Sequence, residues 1–205
     1  MSKRVKEIAI HMGINRDKCH VLHIGTKFAD NQMTNVKYPV KNGILKILYM
    51  RYMRKDNGFY FFLDALQKMP DKLARRIEVV VAARFDDMNV IEKLKKLNDK
   101  FYSVNLFNGY TYKEIPVITK GVNLGIVPVI WEDNLLQVAM EMKAMGIPVL
   151  ASDRGGANEL SSNAALKFKA ENMKDFIIRL EYIKNMEMIN IILKMKNCEI
   201  LNNIV

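Results

Sequence analysis

Two carboxylates and a pair of glycines stand out in the stretch 127–160, VPVIWEDNLLQVAMEMKAMGIPVLASDRGGANEL. Asp133 and Glu141 are separated by seven residues, and Gly155 and Gly156 follow Asp153 and Arg154. A carboxylate suits a vicinal diol, because its two oxygens accept from both hydroxyls at once. Glycine lets backbone amides approach phosphate oxygens closely, and a helix N-terminus favours that negative charge. A diol beside a phosphate describes a nucleotide sugar.

The surrounding pattern predicts the elements that would hold these groups. Leu124–Ile130 reads as a strand, Leu135–Met145 as a helix and Ile147–Ser152 as a second strand. Asp133 and the glycine pair then fall in loops after strands, where open α/β sheets bind their ligands. At 100° per residue, Leu135, Val138, Met142 and Met145 form one helical stripe, with Glu141 at its edge beside Asn134. Asp133 has a second use, as N-cap of that helix, and Asn134 could serve as the cap instead. Gly155-Gly156 also fits a plain turn.

The same alternation runs back through the chain. Strands are expected at Ile44–Met53, Ile77–Ala83 and Phe101–Phe107, and helices at Gly58–Leu66, Met88–Leu97 and Tyr112–Lys120. The run IEVVVAA is almost wholly apolar, as expected of a strand buried on both faces. A short strand-like run, HVLHIG, covers 20–25, and a polar connector covers 29–43. Val5, Ile8, Ala9 and Met12 mark a short amphipathic helix ended by Gly13. Helices at Met173–Ile183 and Met186–Ile200 close the chain, the second carrying a methionine-rich packing face. Strand and helix alternating with short connections imply an α/β, Rossmann-like, mostly parallel sheet with helices on both faces.

The order of residues resembles the donor-binding half of GT-B glycosyltransferases, in particular the retaining family 4, also called group 1. The matching positions are Pro128, Asp133, Glu141, Gly146, Pro148, Val149, Gly155, Gly156 and Glu159, with Asp133 in place of the usual first Glu and Val129 where Ser is common. Arg51, after the strand KILYM, resembles the arginine of the family's G-R-x(4)-K-G diphosphate clamp. Met50 replaces its glycine, Asn57 stands at its lysine, and the loop to Gly58 is one residue longer, so Lys55 or Arg54 would supply the second charge. The run 20–25 resembles the segment that opens the donor domain, and Gly109-Tyr110 after Phe107 resembles the F-x-G segment near the base, although a strand-end turn explains Gly109 equally well.

This resemblance implies roles for the residues. Glu141 would hold the ribose hydroxyls and Asp133 the hydroxyls of the transferred hexose. Asn134 and the amides of Leu135 and Leu136 would lie near sugar and phosphate. Arg51 and Lys55 would hold the diphosphate, with Gly155 and Gly156 beside it; Glu159 would cap or brace that turn. No cofactor and no metal are implied, the donor being a substrate, and no general base is recognisable in this segment. Glu132, adjacent to Asp133 but off the pattern, is expected to be replaceable without loss of nucleotide binding.

The implied organisation is 1–19 as the tail of a preceding domain or a linker helix, 20–184 as the nucleotide-sugar-binding domain, and 185–205 as a C-terminal helix. The acceptor, a glycan or lipid-linked sugar, would sit on an N-terminal domain that these 205 residues do not contain. The competing functional class is a non-catalytic nucleotide-binding or regulatory module that keeps the fold, suggested by the departures at Met50 and Asn57.

Composition narrows the classes further. Half the residues are hydrophobic, enough for a sizeable core, and no apolar run is long enough to span a bilayer. Cys19 and Cys198 form no C-x-x-C pair, so neither a disulfide framework nor a zinc site is indicated and the cytoplasm is the expected compartment. The formal charge is +10, and residues 1–60, with 12 Lys/Arg against 4 Asp/Glu, hold +8 of it. Such a basic third attracts phosphate, nucleic acid or the anionic inner face of a membrane. Its aromatic residues follow strand and helix patterns rather than a base-stacking platform. No nucleic-acid partner is therefore expected, whereas peripheral membrane contact stays open.

Overall fold

The computed structural model describes residues 2–22, 25–26, 40, 42–134, 136–160 and 162–185, without the side chain of Asn158. Six parallel strands form one sheet in the order β3-β2-β1-β4-β5-β6, with β1 at Leu45–Met50, β2 at Ile77–Ala83, β3 at Ser103–Asn108, β4 at Leu124–Val127, β5 at Val149–Ser152 and β6 at Lys167–Phe168. The chain winds outward from β1 to β3, returns, and continues from β4 on the other side. The order therefore reverses between β1 and β4, and their outgoing loops diverge there. In such sheets that reversal is the crevice where ligands bind.

Side chains of β1 alternate between two cores, as the period of a strand requires. Leu45, Ile47 and Tyr49 face one cluster, together with Phe59, Phe62 and Phe176 from helices α2 (Phe59–Lys68) and α7 (Met173–Asn185). Helices α3 (Asp71–Ala74) and α4 (Met88–Lys96) cover the same face. Leu48 and Met50 face the other cluster, covered by α5 (Ile115–Ile118) and α6 (Gln137–Ala144). Gly125 on β4 permits the closest approach of α6: a Cβ there would lie 2.4 Å from the Met142 sulfur.

Several elements are shorter than the sequence pattern implies, for local reasons. β4 stops at Val127 because Pro128 has no amide to donate, and β5 starts only after Pro148. The helix expected over 112–120 divides into a 3-10 turn, Tyr112–Glu114, and the single turn α5. The capping box of Thr111 and Glu114 sets its start. Residues 20–22 form no strand, contrary to the expectation for HVLHIG, and His23 and Ile24 lie outside the described residues. So do most of the connector 29–43 and the helix expected at Met186–Ile200. Helix α1 (Lys3–His11) forms as expected, followed by Gly13 at φ +95°. None of its own residues is buried.

Candidate functional site

The strand β1 delivers Arg51 to the crevice. Its amide still donates to the Ala82 carbonyl, completing the ladder, and its side chain then turns toward the β4 loop. There Arg51 Nη2 donates to Asp133 Oδ2 at 2.7 Å. The two side chains are mostly buried, at 21% and 15% exposure. Arg51 Nη1 is fully buried and has no hydrogen-bond partner among the described residues. A guanidinium carries a fixed fork of donors, so the two N–H groups of Nη1 are left unsatisfied among the described residues.

The loop after β1 is braced from within. Tyr49 Oη and Asn57 Nδ2 both donate to the Tyr52 carbonyl, at 2.9 and 3.2 Å. Asn57, which stands where the resemblance expects a lysine, is buried and serves this turn. Lys55 is exposed, outside the Arg51–Asp133 contact. Gly58, at φ +73°, packs so closely on the β4 loop that a Cβ would fall 1.6 Å from the Pro128 carbonyl oxygen. The Ile130 amide donates to the Asp56 carbonyl, closing a second stitch between the loops.

Asp133 and Asn134 are not helix caps. Helix α6 starts at Gln137 with Leu136 as its N-cap and no side-chain cap, so both polar residues are free for other work. Asp133 Oδ1 accepts from the Asn134 amide at 2.7 Å while Oδ2 faces Arg51. Asn134 Oδ1 accepts from the Ser2 amide at 2.7 Å. Leu135 lies outside the described residues, and Leu136 is buried in the core under α6.

The glycine turn leans on this loop. The Gly156 amide donates to the Asp133 carbonyl at 2.9 Å, and the Gly155 amide to Glu132 Oε2 at 3.1 Å. Gly155 has φ +62°, and a Cβ there would sit 2.5 Å from the Asp133 carbonyl oxygen. Both amides are thus used within the chain, and in this conformation the turn is a brace behind Asp133. Glu159 accepts from the Lys3 and Arg4 amides, which makes it the anchor of α1. An anion at a helix N-terminus satisfies free donors and the helix dipole together.

Glu132, off the family pattern and expected to be dispensable for nucleotide binding, is a structural hub. Its carboxylate accepts from Arg4 at 2.9 and 3.0 Å, from Arg154 at 3.3 Å and from the Gly155 amide. The hydrogen bond with Arg4 dominates in drawing its pKa down to about 2. No local pattern reveals this, because the partners stand 128 and 22 positions away.

Glu141 is buried at 5% exposure, and Gln137 Nε2 donates to its Oε1 at 3.0 Å, one turn earlier on α6. Burial raises its pKa against the opposing effect of that hydrogen bond. Tyr110, half-buried beyond β3, has its hydroxyl pushed up to about 12, first by burial and then by the fields of Glu141 and Tyr52, with Arg51 opposing. Residues from the loops after β1 and β3 and from α6 therefore share one electrostatic neighbourhood. Gly109, at φ +71°, ends β3 with open space around it. Among the described residues no cluster of His, Cys, Asp or Glu is suited to a metal ion, and no helix is long and apolar enough to cross a membrane.

Known structures share this architecture. A glycosyltransferase from Rickettsia africae matches with a TM-score of 0.71 at 20% identity, over 95% of this chain and 55% of that one. The lipopolysaccharide outer core galactosyltransferase WaaB matches at 0.73 and 15% identity, over 96% and 56%. Anabaena Alr3699/HepE in complex with UDP matches at 0.71 and 15% identity, over 96% and 56%. At these identities the likeness establishes the fold alone, and the chain spans little more than half the length of these structures. No curated protein matches the sequence. The family model of the glycosyl transferases group 1 matches residues 45–184, which includes the whole sheet and both loops of the crevice. On that match, the chain belongs to the group 1 glycosyltransferases.

Proposed function

We propose that this chain is the donor-binding domain of a retaining hexosyltransferase, holding a nucleoside-diphosphate sugar in the crevice between the β1 and β4 loops. The observation that carries this reading is the Arg51–Asp133 pair at the strand-order reversal, with Arg51 Nη1 buried and lacking a partner. Once the chain covering it moves aside, a diphosphate oxygen satisfies that donor, and the guanidinium then offsets the charge that grows on the leaving phosphate. Asp133 takes hydroxyls of the transferred hexose, and Glu141 takes the ribose diol. Gly109 and Tyr110 lie on the side of the base, and Asn134 and the amides near Leu135 and Leu136 on the side of the sugar. Lys55, on its exposed loop, reaches the diphosphate only if that loop folds inward, as do the Gly155 and Gly156 amides only if they leave their present acceptors.

The complex of Alr3699/HepE with UDP supports a uridine nucleotide as the first ligand to test. Neither cofactor nor metal belongs to the proposal, since Arg51 supplies the positive charge. The acceptor, a glycan or lipid-linked sugar in polysaccharide synthesis, binds a second domain, N-terminal in sequence or separately encoded. That domain carries the base that activates the acceptor. The compartment we propose is the cytoplasm, with the basic N-terminal third against anionic lipid at its inner face. The non-catalytic alternative rests on Asn57, which is committed to bracing the loop instead of presenting a charge.

Calorimetric titration with UDP and GDP tests the reading directly. Saturable binding by the parent chain that is lost in Arg51→Ala supports it. Absence of binding to either nucleotide would overturn it.

A further inference from the structure

A second cleft, of about 290 Å³, opens on the outer side of the β1 loop, between it and the loop after β2. Its lining includes Tyr52, Tyr60, Arg54, Arg84, Asp86 and Asp87. Arg54 shares with Lys55 the loop that the resemblance gives to the diphosphate, and Tyr52 directly follows Arg51, whereas Tyr60, Arg84, Asp86 and Asp87 lie apart from the donor site proposed above.

The lining has an unusual balance. Two arginines and two aspartates make it formally neutral, so it neither concentrates anions nor repels them by net charge. Two tyrosines, 63% and 44% exposed, supply aromatic surface. The Arg54 guanidinium lies 5.6 Å from the centre of the Tyr52 ring, occupying one of its faces. Tyr60 meets Phe59 in an edge-to-face contact and keeps ring surface toward solvent. Arg84 and Asp86 pair loosely at 3.5 Å while both remain largely exposed, so each keeps hydrogen-bonding capacity. Asp87 Oδ1 caps α4 through the Asn89 amide, leaving Oδ2 as an acceptor.

We infer that this cleft is a binding subsite for a neutral saccharide ring. A pyranose has one face of C–H groups, which suits the negative face of a tyrosine ring, and a rim of hydroxyls that both donate and accept. Carboxylates accept from such hydroxyls and guanidinium groups donate to them, and a formally neutral lining matches an uncharged ligand. The volume of about 290 Å³ falls just below the roughly 300–1,000 Å³ typical of ligand pockets, the scale of one ring rather than a nucleotide sugar.

The inference goes beyond the donor reading and does not depend on it. Methyl α-glucopyranoside, methyl α-mannopyranoside and methyl β-galactopyranoside, titrated into the full chain and followed by saturation-transfer NMR, test it. At least one should bind saturably in the millimolar range. Tyr60→Ala should weaken it by about 10-fold or more, equivalent to roughly 1.4 kcal/mol, and Tyr60→Phe, which keeps the ring, should bind like the parent. Excess UDP should leave the sugar bound. Three results would each overturn the subsite: no saturable binding of any of the three glycosides, unchanged affinity in Tyr60→Ala, or displacement of the sugar by UDP. Failure of UDP to bind while a glycoside still does would refute the donor reading alone.

Discussion

Arg51 and Asp133 are 82 positions apart in sequence and meet at 2.7 Å across the point where the strand order reverses. Each neutralises the other in a largely buried setting, so removing one leaves the other charge uncompensated. The two partners should nevertheless respond in opposite directions to a nucleotide. Arg51→Ala should lower UDP affinity at least about 10-fold, the scale of one charged hydrogen bond. Asp133→Asn frees the guanidinium and removes a negative charge beside the phosphates, so UDP affinity should hold or rise. Calorimetry on the two variants checks the pair, and an equal loss in both would show that Asp133 acts on the nucleotide itself.

Glu141→Gln should lower nucleotide affinity about 10- to 150-fold, the range expected for a charged hydrogen bond contributing roughly 1.5–3 kcal/mol. The unliganded domain should not lose stability. A glutamine can still accept from Gln137 through its amide oxygen, and the substitution removes a buried charge. Thermal unfolding with and without UDP separates these effects. A fall in the midpoint of the free protein would make Glu141 a structural residue.

Acidity should reveal two carboxylates with opposite signs. The folded-state pKa of Glu141 is raised above its ordinary value of 4.5, so its ionised form destabilises the fold and its burial cost disappears as pH falls through that raised value. Nucleotide affinity, which needs the ionised carboxylate, should weaken over the same descent while the fold persists. Glu132 is lowered to about 2, so its stabilising contacts are complete above 4.5 and are lost as pH falls from 4.5 toward 2. Affinity measured against pH, beside hydrogen exchange of α1, should show the first change before the second.

Glu132→Ala and Glu159→Ala should both loosen α1. The first removes the acceptor for Arg4, and the second the acceptor for the Lys3 and Arg4 amides. Loss of a helix-terminal anchor costs about 1 kcal/mol. Faster amide exchange in 3–11 with little change in β1 or β2 is the expected signature. Unchanged exchange in both variants would place the anchor elsewhere.

Glycine replacements should separate crowding from backbone conformation. Gly58→Ala and Gly155→Ala would drive a Cβ against backbone oxygens at 1.6 and 2.5 Å. Each should destabilise the domain by roughly 3 kcal/mol or more. Gly109→Ala, with a similar positive φ but open space, should cost only about 1–2 kcal/mol. Urea denaturation of the three variants ranks them.

The parallel sheet was legible because its strands are apolar runs separated by helical periodicity, from IEVVVAA to the pattern around Met142. Short elements were not: β6 has two residues and α3 four, too few for a period to appear. The geometry of the candidate site was legible only in part. Asp133 and Glu141 stand out by type and spacing and Arg51 by its resemblance to the diphosphate clamp, and Gln137 could have been found as the residue one helical turn before Glu141. Glu132 and Asn57 could not, since an acidic residue beside another and an asparagine in a loop carry no periodic signal. Their importance comes from partners that only the folded chain brings near. Propensity also favoured Asn134 as a cap, whereas packing begins the helix two residues later, with Leu136 in the core.

The hydrogen bonds that fasten helix α1 to the β4 loop and the glycine turn fall at its start, and further along Glu7 pairs with Arg16 while Ile8, Ala9 and Ile10 are half-buried. Ser2, Lys3 and Arg4 are fastened to Asn134, Glu159 and Glu132, while no residue of the helix is buried. Rearrangements beside Asp133 would thus be passed to α1 through the three residues at its start.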